Sequence, residues 1–489
     1  ESMRQRESSS RFVTVPNDDQ RRGDFSAYGV RLFDPLTGNP NGSGRVEFAG
    51  ARLPAERISR ISQKLVELLP RPNQPGFTNN LFVSAPLAFD RVNHDAKINW
   101  NVSEKANLFG RYGVLDARVF DTLRLGPAGG FGVATIQPGQ GDALIQSATL
   151  GGTYILSPRL LLDGHVGYTR QGQQGVNTFE YGKNIGLEVL GIPGTNGPDI
   201  RQSGFPKFTV SGYEEFGNPA NYNPFFYRDN QFQYSANLGY TRGSHSLRWG
   251  LDIARQHMNQ FQPEVGSYGP RGGFTFAGGP TALQGGTATN QFNNFATFLL
   301  GLPTSFGKSL QTAIPMSTRV WNHGLYFRDQ WQATRRLTIN LGLRWEYYPF
   351  MTRDHRGVER YDWTTDKVLI GGVGAVPDNT GIEVSKKLFA PRAGFAYRMS
   401  DDFVVRAGYG ISIDPYPLGR PLRDNFPVVL NRDFAGPNTF QPAGSLERGI
   451  PPDPVIELGN GIIDIPLVAT TNTVDKVFRR GYLQSFNFT

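Results

Sequence analysis

An all-β chain is predicted here: an antiparallel transmembrane β-barrel with long extracellular loops and one short N-terminal helix. Three features of the sequence predict it. Apolar and polar residues alternate with period two over unusually long stretches. Short polar turns and long connections rich in Gly, Pro and Asn follow one another along the chain. No run of about 18 apolar residues offers a spanning helix, and a barrel needs none, because only every second strand residue meets lipid.

The alternation is clearest in "RLTINLGLRWEYYPF", residues 336–350. Leu337, Ile339, Leu341, Leu343, Trp345 and Tyr347 fall in one register, and Thr338, Asn340, Gly342, Arg344 and Glu346 in the other. Successive strand residues point to opposite faces, so each set covers one face. Ordinary strands run about 5–6 residues, whereas about 9–11 tilted residues cross a bilayer core. The same pattern recurs in "RVNHDAKINWNV", "QFQYSANLGYT", "SLRWGLDIA" and "VVRAGYGISI". The apolar register is expected to face lipid: Ile98, Trp100, Leu238, Trp249, Leu341, Leu343 and Tyr409, with Trp345 and Tyr347 at the level of an aromatic girdle. The other register is expected to face an aqueous lumen: Asn93, Asp95, Lys97, Asn99, Arg248, Asp252, Asn340, Arg344, Glu346 and Arg406. In "LYFRDQWQ", Asp329 shares the register of Leu325, Phe327 and Trp331, which calls for a bulge or an interfacial position.

The connections carry the topology. "SEKA" near 103, "SPR" near 157, "RGSH" near 242, "ATRR" near 333 and "MSDD" near 399 read as tight turns. Between them lie the long stretches 119–141, 172–227, 261–316, 350–388 and 414–479. In an up-and-down sheet all turns then lie at one end and all loops at the other, the asymmetry of outer-membrane barrels. Sandwiches and propellers rarely separate loop lengths so cleanly. Glycine–aromatic pairs recur at Gly167-Tyr168, Gly239-Tyr240, Gly394-Phe395 and Gly408-Tyr409. Each glycine would point inward, easing strand bending or leaving room in the lumen.

Residues 1–88 show no such alternation. "LPAERISRISQKLVELLPRPN" reads as one helix between Pro54 and Pro70, with Ile58, Ile61, Leu65 and Leu68 as an apolar stripe docked on a neighbouring surface. "NNFATFLLGLP" (293–303) reads as a short helix or interfacial segment inside a long loop.

Composition excludes several classes. Cysteine is absent, so disulfides, thiolate zinc sites and cysteine nucleophiles are excluded. Hydrophobic residues make up 38% and mean hydropathy is -0.38, low for a helical membrane protein. The 50 Lys and Arg against 42 Asp and Glu are spread along the chain, so no nucleic-acid partner is expected. The histidines His94, His165, His245, His257, His323 and His355 form no HExxH or HxH. "GPAGGFG" (126–132) lacks the Lys-Ser/Thr and helix of a phosphate loop, and no G-x-S-x-G elbow is present. No catalytic residues, metal site or cofactor are expected, and the chain is not read as an enzyme.

A set of ordered motifs resembles a known family. "RRGDFS" (21–26), "FDPLTGNP" (33–40), "RIS" (57–59), "LLPRPN" (68–73) and "HDAKINWNVSEKANLFGRYG" (94–113) come first. "SHSLRWGLDI" (244–253), "FATFLLGLPTS" (295–305), "LYFRDQW" (325–331), "RLTINLGLRWEYY" (336–348) and "APRAGFAYR" (390–398) follow. Their order and spacing resemble the Oar-like TonB-dependent outer-membrane transporters, a receptor type common in acidobacteria. That resemblance implies a longer protein with a carboxypeptidase-regulatory-like domain upstream, a plug, and a barrel of about 22 strands. About 10–12 strands are legible here, and "GYLQSFNFT" looks like an interior strand. The chain is therefore expected to be a fragment: 1–88 a plug-to-barrel junction segment, 89–489 the N-terminal half of the barrel. The first and last strands, near 92–102 and 479–489, are not expected to pair. The implied function is uptake of a bulky extracellular solute across the outer membrane of a Gram-negative bacterium. The proton-motive force would be coupled in through a TonB-type partner, by way of a plug region not found in this chain. The alternative is an outer-membrane adhesion or signalling protein that uses the barrel as an anchor. Outer-membrane lipid is a partner in either case.

Overall fold

The computed structural model describes residues 1–263, 268–415, 423, 425–467 and 469–489. Parts of the expected loops 261–316 and 414–479 therefore lie outside the described residues. Twelve strands form one antiparallel up-and-down sheet in chain order. They are β1 Ser2–Val13, β2 Leu81–Ser103, β3 Ala106–Asp121, β4 Gly139–Ser157, β5 Leu160–Val176 and β6 Phe225–Arg242. The second half comprises β7 His245–Phe261, β8 Met316–Gln332, β9 Leu337–Tyr347, β10 Leu388–Arg398, β11 Val404–Ile413 and β12 Tyr482–Phe488. Among the described residues β1 and β12 do not pair, so the sheet is open at both. All five expected tight turns join consecutive strands at one end. Bulges at Asn101/Ser103 and Ile155/Ser157 bend β2 and β4 into two of these turns. No helix of the described residues is long and apolar enough to cross a membrane.

One expectation is corrected, and one of two alternatives is excluded. The first edge is β1 rather than the strand near 92–102, and β2 begins at Leu81. β1, "SMRQRESSSRFV", is polar almost throughout and carries no period-two apolar signal. Its pairing with β2 is regular from Ser2↔Val92 to Val13↔Leu81. Residues 14–80 are thus the connection between two sheet strands, and they sit at the end that holds the other long connections. Nor is there a bulge at Asp329, where the register runs unbroken through Asp329↔Leu247 and Asp329↔Leu341. Instead Asp329 lies near the short-turn end, its Oδ2 2.7 Å from His245 Nδ1, while the His245 ring stacks on Trp331. Of the two readings of Asp329, the bulge is the one that the pairing excludes.

The long connections fold together. The apolar core lies in them, at one end of the sheet, and includes Phe25, Leu32, Leu65, Phe208, Phe216, Phe274, Phe276, Phe295 and Phe298, each almost wholly buried. Each such side chain contributes about 1.5–3 kcal/mol through burial. A second sheet runs through this cap, in the order Ala469–Thr470, Val429–Ala435, Ser305–Gln311, Gly273–Phe276, Lys207–Val210. Phe208 stacks on Phe216 and Phe274 at centroid distances of 5.3 and 5.6 Å. The single helix expected between Pro54 and Pro70 is two elements, a turn at Ala55–Arg57 and helix α1, Arg60–Leu68, N-capped by Ser59, because Ile58 is extended between them. Ile61 and Leu65 are buried, with Ile58 and Leu68 packed beside them, so the whole stripe docks as expected. Helix α2, Gln291–Leu299, is the segment read in 293–303, and Ser62 Oγ of α1 donates to Phe298 O of α2 at 2.6 Å.

Candidate functional site: the polar face of the sheet

Cross-strand partners share a face, so the pairing register decides which side chains stand together. Pairs such as Lys97↔Arg111, Arg248↔Arg328, Asn340↔Gly394 and Ala396↔Arg406 link the strands one to the next. All ten polar residues named from the sequence fall on one face. The seven apolar ones fall on the other. Ile98, Trp100, Leu341 and Leu343 are 74, 62, 52 and 47% exposed, and Leu238, Trp249 and Tyr409 are half-buried. Trp345 stacks on Tyr347 and donates from Nε1 to Lys386 O at 2.8 Å, at the long-connection rim.

Two networks order the polar face. In one, Arg248 Nη2 donates to Asp163 at 3.0 Å and Arg248 Nε to the Tyr326 hydroxyl at 3.2 Å. That hydroxyl donates to Asn237 Oδ1 at 2.6 Å, and Asn237 Nδ2 donates to Asp163 Oδ1 at 2.8 Å. Four strands, β5 to β8, are tied together. In the other, Arg344 donates to Asp252 at 2.7 Å and to Glu346 at 2.8 Å. Between β2 and β3, Arg111 Nε donates to Asp95 Oδ1 at 3.0 Å, and Lys97 lies 5.0 Å from the Phe109 ring centroid. Asp163, Tyr326 and Arg111 were not named from the sequence. Tyr326 falls in the polar register of "LYFRDQWQ" and was within reach of the pattern, whereas Asp163 and Arg111 lie on β5 and β3, which the alternation did not single out. Asn93, Asn99, Asn340 and Arg406 join neither network.

A trough of about 780 Å³ runs along the polar face from β7 to β12. Arg248, Tyr326, Arg328, Arg344, Arg392 and Asn487 line it, and Gly394, Gly408 and Gly410 lower its floor. Gly167, Gly239, Gly394 and Gly408 all lie on the polar face, as the glycine–aromatic pattern implies. A Cβ at Gly239 would meet nothing, whereas one at Gly408 would crowd the Asn487 side chain. Arg328 and Arg392 have no carboxylate partner among the described residues, so the trough carries uncompensated positive charge. Its chemistry suits hydrogen bonding and anion contact. Among the described residues, no group of three or more His, Cys, Asp or Glu side chains is placed to hold a metal.

Charged groups are also buried in the cap. Arg271 is wholly buried and donates to the carbonyls of Phe205 at 3.2 Å and Ala220 at 3.1 Å, and to that of Asn223. Burial pushes it down to about 10. Glu180 accepts from Phe205 N at 2.9 Å and from Asn218, and burial pushes its carboxyl up to about 7 against the pull of Arg271. These groups tie 177–224 to the strand Gly273–Phe276 and give the cap a fixed shape.

A family model agrees with the architecture. The family model described as "Outer membrane beta barrel domain" matches residues 1–489. No curated protein matches the chain. Among solved structures, the copper transporter OprC aligns at 12% identity and a TM-score of 0.37, covering 75% of this chain and 44% of that one. The open form of the ferric-catecholate import receptor Fiu from E. coli K12 aligns at 12% identity and 0.35, covering 71% and 49%. The siderophore receptor PiuA from Acinetobacter baumannii aligns at 11% and 0.35, covering 68% and 43%. The chain thus spans less than half the length of each of these proteins. The chain belongs to the outer membrane β-barrel domain family, and its place is the outer membrane of a Gram-negative cell.

Proposed function

We propose that the chain is part of a TonB-dependent outer-membrane transporter that takes up a bulky solute. The apolar face meets lipid, and the polar face, with its two networks and its trough, lines an aqueous lumen. The observation that carries this reading is the open twelve-strand meander with the described parts of the long connections folded into a cap at one end. A sheet with two free edges and one polar face fits an arc of a wider barrel, able to enclose a plug. The motif order that resembles Oar-like transporters supports the same reading. With 1–88 divided at β1, Ser2–Val13 belongs to the barrel arc and residues 14–80 to the outer cap. Energy would enter from the inner-membrane proton gradient through a TonB-type protein pulling on a plug.

The test uses cells bearing the full-length protein, with and without the TonB-type partner. Depletion of a solute from spent medium that requires both proteins supports uptake. If no solute is depleted, and the cells' adhesion is unchanged without the partner, the barrel is an anchor for an adhesion or signalling surface.

A further inference from the structure

The apolar face is not uniform. On it, β5 to β8 place two registered rows just below the cap. The upper row runs Arg170↔Asn230↔His257↔Arg319, and the lower Tyr168↔Phe232↔Arg255↔Trp321. Towards the short turns the face becomes apolar, with Ile253, Leu251 and Leu325. From Tyr240 to Phe232 this apolar band spans about 9 residues of β6, the length of one bilayer crossing. The two rows therefore stand where the hydrocarbon ends and headgroups begin.

Their side chains are pre-arranged. The Arg255 guanidinium lies 4.6 Å over the Trp321 ring, and its Nε donates to His257 Nε2 at 2.9 Å. His257 packs edge-on against Phe232 at 5.6 Å, and Phe232 lies 5.1 Å from Tyr168. Arg319 donates to Asn259 Oδ1 at 3.0 Å and shares Asp354 at 2.9 Å. Arg170 is exposed and, among the described residues, neither it nor Arg255 meets a carboxylate. The contrast lies on β1 to β4 of the same face. There Arg6 pairs with Asp90 at 2.9 Å and Arg118 with Asp142 at 3.8 Å. Cations are matched on one stretch and left over on the other.

We propose that this patch of β5 to β8 binds the net-anionic, phosphomonoester-bearing headgroup of an outer-leaflet lipid. Arg170 and Arg255 supply charge-assisted, two-pronged hydrogen bonds to phosphate oxygens. Three strand spacings, about 15 Å, separate Arg170 from Arg319, room for a large headgroup. The aromatic rings hold the amphipathic boundary beneath it. The proposal rests on the lipid-facing reading of this surface, which the arginine substitutions at 340 and 341 in the Discussion test separately.

The experiment is native mass spectrometry of the detergent-solubilised full-length protein, offered phosphatidic acid and phosphatidylcholine in equal amounts. Phosphatidic acid adducts should dominate by roughly tenfold, as two arginines at an anionic headgroup would give. Arg170→Gln with Arg255→Gln should bring the ratio to near parity, and Arg118→Gln, on the charge-matched stretch, should leave it unchanged. Heat-dependent gel mobility reports whether each variant is folded. Arg170→Gln alone, at an exposed and unpaired position, keeps the test valid if the double variant does not fold. Equal adducts of the two lipids on the unaltered protein would overturn the proposal. So would a preference that survives both arginine changes, or displacement of the lipid by inorganic phosphate alone.

Discussion

Arg344 on β9 reaches Asp252 on β7 at 2.7 Å although β8 lies between them. The path is open because the β8 residue paired with Asp252 is Gly324. A Cβ there would run into the Arg344 guanidinium, which Glu346 holds from its other side. One missing side chain thus lets an ion pair span three strands.

Gly324→Ala should therefore cost about 1–3 kcal/mol, the usual range for overpacking. In an Arg344→Ala background the same change should be nearly neutral, because the clashing group is gone. Urea-dependent refolding into lipid vesicles measures both arms of the cycle. Additive costs would show that Gly324 serves strand bending and not the arginine. Gly239→Ala, where a Cβ meets nothing, is the internal control.

Much of this arrangement was legible in the sequence. Period two set the faces of β2, β6, β7, β9 and β11, and short polar turns against long connections set the order. What stayed hidden has physical causes. β1 is an edge strand, and its Ser- and Arg-rich residues bury little, so no apolar alternation marks it. The cap core joins Phe25 and Leu65 to Phe208, Phe274 and Phe298, far apart in sequence. Two of its strands, "KFTV" and "GFTF", have only four residues each, too few to show a period. The Asp163–Arg248–Tyr326–Asn237 network depends on how four strands stack, which no single strand's pattern reveals.

Sidedness can be read with introduced thiols, since the chain has no cysteine of its own. Thr365→Cys, exposed in a long connection, should react with a membrane-impermeant maleimide on intact cells. Ser244→Cys, in a tight turn, should react only after the outer membrane is permeabilised. The reverse order of labelling would invert the topology.

The cap should respond to pH through Glu180. Its folded-state value, about 7, lies above the ordinary 4.5, because burial disfavours the charged form. Below 4.5 both states hold the proton, and the neutral carboxyl's contribution is fully present. As pH rises through about 7 the folded state must ionise too, and that contribution is lost. Between these limits the group makes the cap less stable as pH rises. Protease protection of the cap, compared between the unaltered protein and Glu180→Gln, should show this slope in the first and a flatter one in the second. Matching slopes would mean that Glu180 does not titrate in the folded cap.

The two faces are distinguished most directly by neighbouring residues of β9. Leu341 sits on the apolar face and Asn340 on the polar face, one residue apart at the same depth. Leu341→Arg should cost about 2–4 kcal/mol if it lies near the bilayer midplane, and Asn340→Arg far less, since the polar face meets water. Equilibrium refolding of both variants into lipid vesicles is the measurement. A large penalty at 341 with a small one at 340 is the predicted result. Equal penalties, or a larger one at 340, would contradict the assignment of lipid to one face and water to the other.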